Sequence, residues 1–267
     1  MSIAVAPRTL VEGCLDVDGT APLDLVYDVG LALGLAEQTV RLAIRRMQAA
    51  GEVEQIGRGR RGRVERTAAA AASARFDDAL LGFAFAQDSG DAPWDGRWRL
   101  YGFSVPESAR SERDSLRAAL LRLGAAILIP GLYVSPHDLG EELSTIVPGE
   151  DAAGRMIVAS ADRISVGGVD EPQRVAESLW PAATTLDAYR PLERELSELV
   201  VPPPSDRVAV LAAAIRLREA FGQALAADPL LPADLRASPW PPIELRRRFL
   251  SAWSALQQDT EELHALN

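Results

Sequence analysis

"LDLVYDVGLALGLAEQTVRLAIRRMQAAGEVEQIGRGRRGRVER", residues 23–66, decides how the first part of the chain is to be read. Val26, Val29, Gly30 and Leu33 keep helical spacing, and Gly34 supplies the permissive backbone of a sharp turn. A second helix is expected from Ala36. There Val40, Ile44 and Met47 fall at i, i+4 and i+7, one apolar stripe that has to bury against the first helix. The opposite face presents Gln38, Leu42, Arg45 and Arg46, with Thr39 and Arg41 on its flanks. Gly51 ends the helix, and residues 53–56 and 63–66 can then pair as strands around the tip "GRGRRG".

Helix, turn, helix and a basic hairpin together predict a winged helix-turn-helix. The arginines are then the wing. Arginine offers two donors to guanine, glutamine can read adenine, and the remaining cations suit phosphates. The residues expected at DNA are therefore Gln38, Thr39, Arg41, Arg45 and Arg46 on the helix and Arg58, Arg60, Arg61 and Arg63 on the hairpin. The competing reading of the hairpin is a solvated basic turn.

Charge distribution favours the first. The chain has 267 residues and a formal charge of −10, and all of its 28 basic residues are arginine. Residues 1–75 hold 10 Arg against 9 acidic residues, the rest 18 against 29, while residues 39–66 alone hold 8 against 3. One basic patch on an acidic body gives a single docking surface and repels nucleic acid elsewhere. Arginine in place of lysine throughout also fits a GC-rich coding background. The apolar content of 48% supports packed cores. A lone cysteine, Cys14, excludes an internal disulfide and points to a reducing compartment, the cytoplasm. Neither a signal-peptide pattern nor a membrane-length apolar run is present.

Four regions follow from composition: a winged-helix domain over 1–75, a connector over 76–96, a ferredoxin-like α/β domain over 97–165 and an all-helical domain over 166–267. The overall class is α+β. Thr67 is a plausible N-cap for an alanine-rich helix that runs on into the connector, where "QDSGDAPWDG" breaks it. The third region reads strand (Trp98–Val105), helix (with Leu116, Ala119, Leu120 and Leu123 on its apolar stripe), strand-like "AAILIPGLYVS", helical "PHDLGEELSTIV" and strand "RMIVASA". That order is ferredoxin-like. Helices are expected in "DEPQRVAESLW", "LDAYRPLERELSEL" and "SDRVAVLAAAIRLREAFGQALA", with a last one from Ile243. Trp180, Tyr189, Trp240 and Trp253 are either core or part of a flat pocket for an aromatic ligand.

Four stretches carry a family resemblance: "AEQTVRLAIRRMQAAGEV" with its basic hairpin; "WDGRWRL" followed by "PESARSERDSLRAALLRLG"; "IPGLYVSP"; and "DPLLPADLRASPWPPIELRRRF". In that order the chain resembles the PaaX-like transcriptional regulators, repressors of phenylacetic acid degradation. The resemblance implies a dimeric repressor on double-stranded operator DNA, released by an aryl-acyl coenzyme A, typically phenylacetyl-CoA. Tyr133 stands where the family usually has tryptophan, and "RGRVERT" lacks the usual aromatics.

Catalytic and metal sites are not expected, nor a cofactor. His137 and His264 are too isolated to form a zinc site with Cys14, and Ser135, His137 and Asp138 in "SPHD" read as a capping loop. The third region also resembles small CRISPR-associated nucleases of the ferredoxin-like fold, in which the first strand ends in a metal-binding aspartate. Here that position is Ser104, a poor ligand for a hard divalent cation, so a nucleic-acid-processing role is the alternative reading.

Overall fold

Helical stripes and alternating strands settle into two compact units, each drawn from separate parts of the chain: residues 1–83 with 189–224 and 242–267, and residues 84–188 with 225–241. The computed structural model describes residues 3–68, 81–103, 110–146 and 156–257.

In the first unit, α1 (Pro7–Gly13) packs on α2 (Leu23–Ala32) and α3 (Glu37–Ala49). Gly30 lets the three meet: a Cβ there would come within 3.1 Å of both Leu10 and Val40. The turn after α2 is closed by Leu35 N–H donating to Gly30 O at 2.8 Å and Gly34 N–H to Leu31 O at 2.9 Å, with Gly34 at φ +77°. This helix ending satisfies the last carbonyls and needs a left-handed residue, which only glycine supplies without strain. Val40, Ile44 and Met47 are all buried, as the stripe predicts. Two strands, β2 (Val53–Ile56) and β3 (Arg63–Arg66), pair antiparallel in the expected register around the tip. A third, β1 (Thr20–Pro22), pairs with the other side of β3, giving the order β1-β3-β2. Val64 on the central strand is fully buried.

The second unit holds a four-stranded antiparallel sheet. Its strands are β4 (Trp98–Phe103), β5 (Ala126–Ile129), β6 (Leu132–Ser135) and β7 (Met156–Ala161), in the order β5-β6-β4-β7. With α4 (Arg110–Arg122) after β4 and α5 (Gly140–Ile146) after β6, this is the ferredoxin-like arrangement. Ser104 and the expected helix start at Pro106 lie outside the described residues, as does most of the alanine-rich segment after Thr67. The second helix of this unit is shorter than "PHDLGEELSTIV" predicts. It begins at Gly140, because Ser135 Oγ and the Tyr101 hydroxyl take the N–H groups of His137 and Leu139 into a turn.

Alternate residues of β4 serve two cores. Tyr101 packs with Leu120, Leu139 and Leu143 on one face, while Trp98 packs with Val134, Val175, Leu231 and Leu235 on the other. The second face is covered by α6 (Pro172–Leu179) and the 225–241 segment; Glu171 caps α6 by accepting from the N–H groups of Gln173 and Arg174. Trp98 and Trp180 stack there with ring centres 6.3 Å apart. Three longer helices follow α6 in the chain: α7 (Ala182–Glu198), α8 (Arg207–Ala226) and α9 (Pro241–Gln257). In the first unit Phe221 of α8 stacks on Phe249 of α9 at 3.9 Å.

Candidate nucleic-acid interface

All nine residues singled out for DNA lie exposed on the first unit. Gln38, Thr39, Arg41, Arg45 and Arg46 project from α3, opposite its buried stripe. Arg58, Arg60 and Arg61 occupy the hairpin tip, and Arg63 opens β3. Leu42, itself 46% exposed, lies among the helix cations.

The tip owes its form to two glycines. A Cβ on Gly62 would approach Ile56 O to 2.9 Å and the Gly57 carbonyl carbon to 3.1 Å, so the strands can pinch together only where side chains are absent. Beyond this neck residues 59–61 form a single tight turn, closed by Gly62 N–H on Gly59 O at 3.1 Å. Gly62 O in turn accepts the N–H of Leu23, which ties the hairpin to the start of α2 at 2.9 Å.

Electrostatics divides the arginines. Arg60 pairs with Asp28 of α2, and its other terminal nitrogen lies 3.9 Å from Glu37 at the start of α3. Arg41 pairs with the same Glu37, one helical turn away. Both guanidinium carbons lie 5.8 Å from the ring centre of Tyr27, which is itself buried. The Tyr27 hydroxyl, followed by Glu37, holds Arg41 above the usual arginine pKa. Arg63 pairs with Glu65 at 2.6 Å. Among the described residues no ion pair engages Arg45, Arg46, Arg58 or Arg61. Four cations thus face solvent without a counter-charge among the described residues, and three others hold internal carboxylates.

Tyr27, Asp28 and Glu37 were missed in the sequence reading. Glu37 carried a signal, since its spacing to Arg41 is that of a helical ion pair. Asp28 carried none: its partner is 32 positions away.

The other candidates fall elsewhere. His137 Nε2 lies 2.9 Å from Leu230 O, and Ser135 Oγ accepts the His137 backbone N–H, so the "SPHD" side chains serve a turn and a docked loop. Burial lowers the His137 pKa to about 4. Cys14 is buried, and burial pushes its thiol up to about 12. Among the described residues no group of three His, Cys, Asp or Glu side chains could hold a metal. No described helix is long and apolar enough to cross a membrane. Of the four aromatic residues considered for a ligand pocket, Trp180 and Trp240 belong to one compact unit and Tyr189 and Trp253 to the other. Tyr189 accepts a 2.5 Å hydrogen bond from fully buried Arg246, Trp253 stacks on Phe249, and Arg236 lies over Trp240.

The sheet order and the two covered faces define the second unit as a ferredoxin-like domain. Residues 91–176 match the family described as PaaX protein central Cas2-like domain. A solved structure, the uncharacterized protein Rv0674 from Mycobacterium tuberculosis, is similar over 94% of this chain and 94% of its own, with 22% identity and a TM-score of 0.53. At that identity the likeness establishes a shared fold. No curated protein matches the chain.

Proposed function

We propose that this chain is a ligand-responsive transcriptional repressor that binds double-stranded operator DNA through a winged helix-turn-helix. In this reading α3 enters the major groove, and the 57–62 tip lies along the backbone or in the adjacent minor groove. One observation carries it: Arg45 and Arg46 on α3 and Arg58 and Arg61 on the tip stand exposed without an internal counter-charge, in an otherwise acidic chain. Such cations are free to release counterions from phosphates. The family of the central domain supports a regulatory role and not an enzymatic one.

Further parts of the proposal rest on the family resemblance. The protein acts in the cytoplasm as a homodimer on an inverted repeat, because one recognition helix reads too few base pairs for both affinity and register. An aryl-acyl coenzyme A, phenylacetyl-CoA being the first candidate, binds the dimer and favours a geometry that fits DNA less well. The domain limits 1–75, 97–165 and 166–267 describe the organisation of these roles.

The test is selection of a duplex from a random library by the purified protein, followed by titration of the complex with phenylacetyl-CoA and sedimentation of the free protein. A selected inverted repeat, bound by a dimer and released by the thioester, is the expected result. Failure to enrich any sequence, or magnesium-dependent cleavage of the library, overturns the repressor reading.

A further inference from the structure

Arg60 and Arg41 stand at the junction of the hairpin and α3, and both are already satisfied from within. Asp28 holds Arg60, Glu37 holds Arg41 and lies near Arg60, and Tyr27 underlies the two guanidinium groups. The carboxylates are about half exposed, with side-chain accessibilities of 51% and 41%, so they lie open to the solvent from which a DNA phosphate would approach. A carboxylate and a phosphate oxygen offer arginine the same acceptor geometry. A phosphate that takes the N–H edge already used by the carboxylate has to displace it.

We propose that Asp28 and Glu37 act as internal competitors for DNA phosphate and so determine specificity. This rests on the DNA-binding reading above. On DNA of arbitrary sequence binding is almost wholly electrostatic, and each contact through Arg60 or Arg41 requires a carboxylate to give up its partner. The released carboxylate is then left uncompensated beside the phosphates. The selected site supplies base contacts from α3 in addition, and these offset the exchange. The two acids therefore weaken random binding more than selected binding. On the tip, Arg58 and Arg61 bear no such counter-charge among the described residues and contribute on both.

The experiment measures affinity of the full chain for the library-selected duplex and for a random-sequence duplex across a salt series, comparing wild type with Asp28→Asn and Glu37→Gln. For each arginine freed, the log–log salt slope on random DNA steepens by about 0.9, which at about 0.1 M salt is roughly an eightfold tighter complex. Affinity for the selected duplex rises less, so the ratio between the two falls. In an Arg60→Ala background the Asp28→Asn effect disappears, which a merely structural role of Asp28 would not produce. Thermal unfolding of each variant checks that the fold persists. If wild type binds DNA and both single variants leave random affinity unchanged or weaker, this inference fails and the DNA-binding reading stands. If wild type binds neither duplex, both fail together.

Discussion

His137 Nε2 and the Leu230 carbonyl oxygen lie 2.9 Å apart, joining the end of β6 to a loop 93 residues further on. Leu230 is held at φ 51°, a conformation that costs a non-glycine residue energy, and Asp228 Oδ1 accepts its N–H at 2.8 Å. The loop delivers Leu231 and Leu235 to the Trp98 core. The imidazole thus helps to fasten one side of that core.

This arrangement makes stability depend on pH in mild acid. His137 has its folded pKa at about 4, below the ordinary 6.5 of the unfolded chain, because burial disfavours the imidazolium. Between these values the unfolded chain binds more protons than the folded one. The contribution is therefore complete above pH 6.5 and is lost as pH falls toward 4, to a total of at most about 3 kcal/mol. Urea midpoints measured over that range should fall more steeply for wild type than for His137→Gln. Parallel profiles would assign the acid sensitivity to other groups.

The neck of the hairpin predicts a contrast between two glycines. Gly62→Ala drives a Cβ to 2.9 Å from Ile56 O and should cost about 1–3 kcal/mol. Gly59, at φ +61° with open space around it, meets only the left-handed backbone penalty of about 1 kcal/mol on substitution by alanine. Denaturant unfolding of the two variants decides the order, and a smaller loss at Gly62 would contradict the geometry.

Substitutions on the two cationic elements should separate by sequence dependence. Arg61→Ala should weaken selected and random duplexes alike and make the salt slope shallower by about 0.9. Arg45→Ala should cost about 1–3 kcal/mol on the selected duplex, with little change on random DNA. Equal effects of both variants on both duplexes would mean that α3 touches only the backbone.

Phe249 is fully buried and stacked between Phe221 and Trp253. Phe249→Ala should destabilise the chain by about 3–5 kcal/mol through the lost burial and the cavity left behind. A shift in the thermal midpoint of only a degree or two would show that α8 and α9 are not part of the cooperative core.

Periodicity made the local architecture legible. The α3 stripe, the hairpin register and the order of elements in the ferredoxin-like unit all follow from spacing between near neighbours, and glycines at positive φ mark the turns. What escaped was held at long range. The three residues of β1 carry no strand pattern of their own and form a strand because Arg63, Val64 and Glu65 on β3 offer them an edge. The Asp28 and Arg60 pairing depends on how the hairpin folds back over α2, which no window of sequence contains. Composition carries the helix back to Pro136 although "SPHD" itself reads as a capping loop; the Tyr101 hydroxyl, which takes the Leu139 N–H at 2.7 Å, belongs to the turn before the start at Gly140.

Near the start of the chain, Ile3 N–H donates to Glu195 and Ala6 N–H to Glu219, over separations of 192 and 213 residues, and the Gly13 backbone approaches Ile215 too closely for any Cβ. These two N–H groups therefore find their acceptors only after most of α7, and then more than half of α8, has been made. At ordinary rates of synthesis that is a wait of roughly 10–40 s. During it α1 can already pack on α2 and α3, while the carboxylates that accept from Ile3 and Ala6 do not yet exist, so this unit is completed long after its first helices form.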